Sequence, residues 1–415
     1  MEEWLRLKFE VVVIHMKHIP NFPVEILVGG DLTDILCQPL PPYSNEAIAF
    51  LSELSLRLLS NRSIHSHPDI AGFAYWCRRS NLARLERNFD AKKYRLGRGL
   101  AFHIAPANVP VNFAFSLAFG LIAGNANIVR IPGVKHIQVS IICAEIAELL
   151  RSPKHSRIAK MTRVISYPRD DLITEALSMA CHTRVLWGGD ATIGHLRAMR
   201  TSPRCMDICF ADRYSICIMG ADRILDANQS ILDGLIAGFY NDVFLLDQNA
   251  CSSPHLVLWQ GGGEEIKLAK TKFWQATEKH LLSKQVAQPI YAIDKYAHLC
   301  RIAIELDDCT LEQSNSIYRV QLDNLPQNIE YYRGRHGFFF ENTCNDLRVL
   351  NPIINQRYQT VTYFGINPKV IMDWVMDAGL TGVDRIVPVG KALDIGVIWD
   401  GYELIETLSR IIADS

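Results

Sequence analysis

The chain has 415 residues, of which 49% are hydrophobic and 21% charged, and its formal net charge is −1. That length exceeds one ordinary core and predicts two domains that share a cleft, with the composition of a soluble globular protein. The near-zero charge provides no field for nucleic acid or for an anionic membrane surface, so a small-molecule partner is expected.

Eleven cysteines, an odd number scattered without paired spacing, argue against a disulfide framework and for a reducing, cytoplasmic compartment. The start, Met1-Glu2-Glu3-Trp4, is acidic and soon carries Lys8, Glu10 and His15, so it lacks the basic opening and apolar middle of a signal peptide. Residues 1–40 alternate apolar and polar positions around Pro and Gly, which predicts short strands at Val11 to Ile14 and Val24 to Gly30. Ser44 followed by Ala47, Leu51, Leu54 and Leu58 predicts a capped amphipathic helix, and a second helix is expected from Pro68 to about Asn88. His65-Ser66-His67 lacks the further ligands a metal site needs, and no metal is expected.

From Leu96 the pattern becomes strand, turn, helix. Gly99 to Ala105 reads as a buried strand, Pro106-Ala107-Asn108-Val109-Pro110 as a turn, and Val111 to Gly124 as an apolar helix. The apolar run Phe113 to Ala123 is about half of the roughly 20 residues a membrane span needs, so it reads as a buried helix. Ile128 to Pro132 and the amphipathic stretch Val139 to Leu150 complete a βαβ unit, whose repetition makes a parallel sheet with ligands beyond the carboxyl ends of its strands. Further strands are expected at Val164 to Tyr167 and Arg184 to Trp187. The latter leads into Gly188-Gly189-Asp190-Ala191-Thr192-Ile193-Gly194, which by itself is more often a tight turn than a nucleotide site.

A second βαβ layer opens with Ser215 to Met219, followed by a helix over Ile231 to Leu246 and a strand over His255 to Trp259. Between the last two lies Asp247-Gln248-Asn249-Ala250-Cys251-Ser252-Ser253-Pro254. Small, turn-forming neighbours leave room for a substrate carbon to reach the Cys251 sulfur, which makes it a candidate nucleophile. Cysteines such as Cys143 and Cys217 sit inside apolar runs and read as packing. Beyond Gly261-Gly262-Gly263 we expect helices at Glu264 to Ser283, Pro368 to Ala378 and Tyr402 to Ile412. Strands are expected at Ile317 to Leu322, Gly337 to Phe340 and Thr360 to Phe364.

Gln248 to Pro254 resembles the nucleophile loop of the aldehyde dehydrogenase superfamily. Together with Gly382-Val383-Asp384-Arg385-Ile386-Val387-Pro388-Val389-Gly390 and Trp399-Asp400-Gly401-Tyr402, it resembles more narrowly the acyl-CoA reductase (LuxC) family, from about Leu96 to the C-terminus. The resemblance implies an α/β, aldehyde dehydrogenase-like fold of two Rossmann-like parallel-sheet domains. The cofactor-binding domain would be 1–212, with the N-terminal strands and helices. The catalytic domain would be 213–415, with a tail that can return to the first. It also implies an NADPH-dependent, cytoplasmic, homo-oligomeric enzyme that takes an acyl group from acyl-CoA or from an acyl-activating partner protein and releases an aldehyde.

Roles follow from the same resemblance. Cys251 attacks the thioester; Asn108, otherwise an ordinary turn asparagine, supplies an amide to the oxyanion. Gly189 and Gly194 match the spacing of a Gly, four residues, Gly element at the pyrophosphate. Arg130 matches a lysine that holds the adenosine ribose, and Gly133 stands where NAD-preferring relatives often carry a carboxylate, so NADP(H) is favoured. Without the resemblance Arg130 is only a strand-end surface residue. One departure stands out: Cys209 and Arg213 occupy the places of the glutamate and lysine found in hydrolytic aldehyde dehydrogenases. Asp207 and Asp212 are nearby carboxylates that a local shift could bring in. Without a base for water, a Cys251 thioester persists until a thiol or a hydride removes it. Glu330 and Glu341 compete as contacts of the nicotinamide ribose, and His255, which could lower the cysteine pKa if it folded back, begins a strand and is expected to pack or hydrogen-bond locally. The rival readings are an aldehyde dehydrogenase that forms an acid and a non-catalytic acyl-binding relative.

Overall fold

The computed structural model describes residues 22–89, 94–284, 288–306 and 309–413. The expected strand at Val11 to Ile14 lies outside them. The chain divides into two compact units, one formed by the described residues of Met1–Ala211 and Tyr402–Ser415, the other by Asp212–Gly401.

In chain order the first unit contains β1 (Glu25–Val28), α1 (Asn45–Ser60), α2 (Pro68–Trp76), α3 (Arg79–Asn88), β2 (Arg95–Gly97) and β3 (Leu100–Ile104). There follow α4 (Asn112–Ile122), β4 (Ala126–Ile131), α5 (Ile137–Leu150), α6 (Ser156–Met161) and β5 (Thr162–Ser166). It continues with α7 (Asp171–Ala180), β6 (Thr183–Trp187), α8 (Asp190–Ala198) and β7 (Met206–Phe210). The sheet order is β1-β5-β4-β3-β6-β7, with β1 antiparallel to β5 and the other neighbours parallel. All residues of β3 and β6 are buried, as strands covered on both faces must be, and this is why they read as unbroken apolar runs. The order runs outward from β3 in both directions, so it reverses between β3 and β6. Ligands of open α/β sheets bind beyond the carboxyl ends at such a point.

The second unit contains β8 (Tyr214–Gly220), α9 (Ala221–Asp226), α10 (Gln229–Val243), β9 (Pro254–Gln260), α11 (Gly263–Lys284) and α12 (Pro289–Glu305). It is completed by β10 (Cys309–Gln313), β11 (Tyr318–Leu322), β12 (Phe338–Thr343), β13 (Tyr358–Phe364), α13 (Pro368–Asp377) and β14 (Arg385–Pro388). Its sheet, β10-β11-β12-β9-β8-β13-β14, is parallel except for β10. Successive residues of β8 and β9 feed two cores. Ile216, Ile218, Leu256 and Leu258 enter one, while Cys217, Met219, Val257 and Trp259 enter the other.

Three departures from expectation have physical causes. The single helix over 68–88 is two helices: Arg78 is extended (φ −57°, ψ 139°), and the Asn81 side chain donates to the Trp76 carbonyl at 2.7 Å, which satisfies a helix end there. The expected helix over Tyr402 to Ile412 is one helical turn, Leu404–Thr407, followed by a strand, Ser409–Ile411, that pairs antiparallel with β2. Arg95 on β2 donates to Ser409 Oγ at 2.8 Å, and Asn125 Nδ2 donates to the Leu408 carbonyl at 2.9 Å. A tertiary edge thus overrides local helix propensity. The long helix α12, unassigned from sequence, buries only Lys295 and Ile302, too few positions for a 3.6-residue apolar period to show. No helix among the described residues is long and apolar enough to cross a membrane.

Candidate active site

Cys251 lies in the turn between α10 and β9, at the amino end of the second sheet, and is half-buried. Asp247 and Gln248 before it are left-handed (φ 51° and 59°), a conformation that costs a non-glycine residue of order 1 kcal/mol and persists only when the surroundings over-determine it. They do so here. The buried Gln248 side chain donates to the carbonyls of Pro254 and Phe338, each at 3.0 Å, and accepts the N–H groups of Gly337 (3.0 Å) and Phe338 (3.1 Å). Tyr291 Oη donates to Asp247 Oδ2 at 3.0 Å. Ser215 Oγ donates to the Cys251 carbonyl at 2.7 Å while accepting from Thr360 N at 3.2 Å. Ser253 Oγ donates to the Asp242 carbonyl at 2.6 Å. The loop is therefore pinned to three strands and to its own helix.

Burial pushes the Cys251 thiol up, and the Asp400 carboxylate pushes it further. The Arg213 backbone N–H and the Arg333 guanidinium act the other way, and Asp212 adds a smaller upward push. The net direction is upward, so the resting group is a neutral thiol. Asp400 is itself buried; burial raises its carboxyl, against the pull of Arg213, the Gln359 hydrogen bond and Arg385. The Asp400 carboxylate therefore acts on the thiol through charge, while its own hydrogen bond goes to Gln359.

The two C-terminal motifs meet around these groups. Asp384 pairs with Arg213, whose guanidinium also donates to the Tyr358 carbonyl at 3.3 Å. Arg385 lies over the Trp399 ring at 4.3 Å and donates to the carbonyls of Ala392 (2.9 Å), Lys391 (3.1 Å) and Asp394 (3.0 Å). Gln359 donates to Asp400. Arg213 thus serves as the anchor of the Asp384 motif.

Both suspected water-activating carboxylates are engaged. Asp207 receives a bidentate pair from the buried Arg184, at 2.7 and 2.6 Å, and Asp212 pairs with Arg333 at 3.1 Å. Cys209 is a half-buried residue of β7 whose thiol burial pushes up. Of the two glutamates, Glu341 is consumed by Trp259 Nε1 (2.7 Å), Trp274 Nε1 (2.9 Å) and Arg319 (3.3 Å). Glu330 accepts from Asn355 at 2.9 Å and keeps a buried carboxylate oxygen without a partner. A cavity of about 770 Å³ in this unit is lined by Gly261, Lys270, Trp274, Arg319 and Asn345 at the opposite, carboxyl end of the sheet from Cys251. His255 is fully buried, with a pKa lowered to about 3 by that burial, and stacks on Tyr214, which makes it a packing residue.

The remaining candidates lie in the first unit, at the carboxyl ends of its strands. Asn108 is exposed in the turn after β3. Arg130, on β4, is half-buried with its guanidinium 5.2 Å from the Tyr167 ring and a hydrogen bond to the Tyr167 carbonyl at 3.3 Å. Its Nε is buried without a partner; burial lowers its pKa and the neighbouring Arg169 lowers it further. Gly189 caps the amino end of α8, and Gly194 lies one turn into that helix, where a Cβ would meet nothing within 4 Å.

The model of the family described as acyl-CoA reductase (LuxC) matches residues 42–411. The chain belongs to the acyl-CoA reductase (LuxC) family. A relative named long-chain acyl-protein thioester reductase, from Vibrio harveyi, is 26% identical over 175 residues, 41% of this LuxC-family chain and 34% of the relative, so the match spans about a third of that protein. Among solved structures, an NAD-dependent benzaldehyde dehydrogenase from Corynebacterium glutamicum superimposes with a TM-score of 0.60 at 14% identity, over 88% of this chain and 83% of that one. An NADP-dependent glyceraldehyde-3-phosphate dehydrogenase from Bacillus halodurans does so with a TM-score of 0.57 at 13% identity, over 89% and 85%. The LuxC-family chain therefore has the expected aldehyde dehydrogenase-like α/β fold. Sequence reasoning did not anticipate Asp400, Ser215 or Asp242 at the site. Asp242 leaves a trace, because it continues the apolar stripe Leu232, Leu235, Phe239 of α10 and so marks a carboxylate on a buried face.

Proposed function

We propose that this chain reduces a fatty acyl thioester, delivered as acyl-CoA or on an acyl-carrying partner protein, to the aldehyde through a thioester on Cys251, with NADPH as reductant. The observation that carries this reading is the over-determined Cys251 loop in a LuxC-family chain, with the cysteine at the amino end of β9. The Cys251 sulfur bonds to the acyl carbon, the bond from that carbon to the departing sulfur breaks, and the proton lost by Cys251 ends on the departing thiol. After reduction the bond from the Cys251 sulfur to the carbon breaks, the aldehyde leaves, and the Cys251 thiolate takes a proton from solvent.

Arg130, Lys135 and Arg169 place positive charge around the carboxyl ends of β4 and β5, Gly133 between them is exposed, and Arg130 has an unused buried Nε. These residues fit a nucleotide bearing a 2′-phosphate. Gly189 and the amino end of α8 fit its pyrophosphate. NADPH, when bound, supplies the hydride.

The test is to add a long-chain acyl-CoA without NADPH and look for a stable acyl mass increment on Cys251, then to add NADPH and measure aldehyde release. An acyl-enzyme that hydrolyses rapidly, or aldehyde oxidised with NADP⁺ to the acid equally well with and without coenzyme A, would make the chain an acid-forming dehydrogenase instead.

A further inference from the structure

Cys181 and Cys205 lie in the first unit with their sulfurs 3.8 Å apart, and among the described residues no other two cysteine sulfurs touch. Cys181 closes α7 and is buried, its thiol donating to the Ser178 carbonyl at 3.2 Å. Cys205 is half-exposed in the turn before β7, its N–H bonded to the Ser202 carbonyl at 2.9 Å. The adjoining backbones are held side by side: Met206 N donates to the His182 carbonyl at 3.3 Å, and Thr183 Oγ1 donates to the Met206 carbonyl at 2.9 Å. Nothing in the proposed reduction uses either thiol.

We propose that Cys181 and Cys205 form a hydroperoxide-sensitive dithiol that closes to an intramolecular disulfide. A disulfide needs its sulfurs ~2.05 Å apart, so closure takes a side-chain rotation at a turn residue with little backbone travel. Cys205 is the attacking thiol. It is the accessible one, whereas Cys181 is buried with its thiol proton on the Ser178 carbonyl. In the first step the Cys205 thiolate attacks one peroxide oxygen, the O–O bond breaks, and Cys205 becomes a sulfenic acid as hydroxide leaves. In the second the Cys181 sulfur attacks the Cys205 sulfur, the S–O bond breaks, and a second hydroxide leaves. Two thiols lose two electrons and two protons, and one peroxide is reduced to two waters.

The bridge would span a sequence separation of 24 residues and enclose β6, Gly189 and α8 with Gly194. Oxidation therefore staples the segment that carries the proposed pyrophosphate contacts, and it should raise the melting temperature by restricting the unfolded chain.

The experiment exposes reduced full-length protein to hydrogen peroxide, blocks remaining thiols with N-ethylmaleimide, and maps peptides by mass spectrometry. The expected product is a Cys181–Cys205 linked peptide pair, two hydrogens lighter and restored by dithiothreitol, while the exposed Cys300 is recovered alkylated. In Cys181→Ser, Cys205 should instead accumulate as a dimedone-reactive sulfenic acid. Oxidation of wild-type Cys205 to sulfinic acid with no linked peptide, or equal dimedone labelling in wild type and Cys181→Ser, would overturn the proposal. The wild-type map decides the matter even if the variant fails to fold.

Discussion

The Asp242 carboxylate accepts the Gly390 backbone N–H at 2.6 Å, and its other oxygen accepts Ala392 N–H at 2.9 Å. The helix that leads to Cys251 is thereby bonded to the end of the Gly382 to Gly390 motif, 148 residues away in sequence. Packing enforces the same contact. A Cβ on Gly390, whose φ is +94°, would stand 2.9 Å from the Gly238 Cα, and one on Gly238 would stand 3.1 Å from the Gly390 Cα. Gly390→Ala is expected to destabilise the protein by about 2 kcal/mol or more, through backbone strain and overpacking together, as read by urea denaturation.

Asp242 also makes stability depend on pH. Burial pushes its carboxyl up to about 7, against the two backbone N–H bonds. The folded value lies above the unfolded one, so the folded chain holds the proton more tightly. The contribution of Asp242 is then fully present below about pH 4 and is lost as pH rises through about 7. Asp242→Asn should cost stability at pH 5, because an amide cannot accept both N–H groups, and its deficit against wild type should shrink by pH 8. A deficit that grows with pH would reverse the assignment.

Cys251→Ala is expected to abolish acylation and aldehyde formation while leaving NADPH affinity within about twofold, since a thiol adds little to cofactor contacts. Intact-mass labelling and fluorescence titration check the two halves. Acyl labelling at the wild-type rate would place the nucleophile elsewhere.

Because burial and Asp400 both raise the Cys251 thiol, its alkylation by iodoacetamide should have a midpoint above that of an ordinary cysteine, about 8.5. Asp400→Asn removes a negative charge and should move the midpoint down, whereas Arg333→Met removes a positive one and should move it up. Unchanged midpoints in both variants would separate these groups from the sulfur.

Arg130→Glu should weaken NADPH far more than NADH, by about 1.4 kcal/mol or more in the ratio of their dissociation constants, as a carboxylate near a 2′-phosphate repels it. Calorimetric titration with both nucleotides checks this, and equal losses would mean that Arg130 holds the ribose alone.

Much of the architecture can be read along the chain. Strands β3, β4, β6, β8 and β9 are buried on both faces, so each is a short apolar run bounded by turn residues, and β–α alternation shows directly. Cys251 stands out for the same local reason, as a thiol among small residues at a helix-to-strand junction. The motifs around Asp384 and Asp400 are visible as residues, but their use is not. Arg213 meets Asp384 across 171 positions, Gln248 meets Phe338 across 90, and Ser215 meets Cys251 across 36.

The amino-acid order alone determined the alternation of elements, the family and the candidate nucleophile, since periodicity, turn chemistry and short motifs are local properties. Tertiary structure alone decided that Arg213 anchors a motif, that Gln248 and Ser215 hold the nucleophile loop, that burial and then Asp400 raise the Cys251 thiol, and that the tail forms a strand on β2. Hydrogen bonds, burial and charge act through space, and the partners they join lie tens to hundreds of positions apart on the chain.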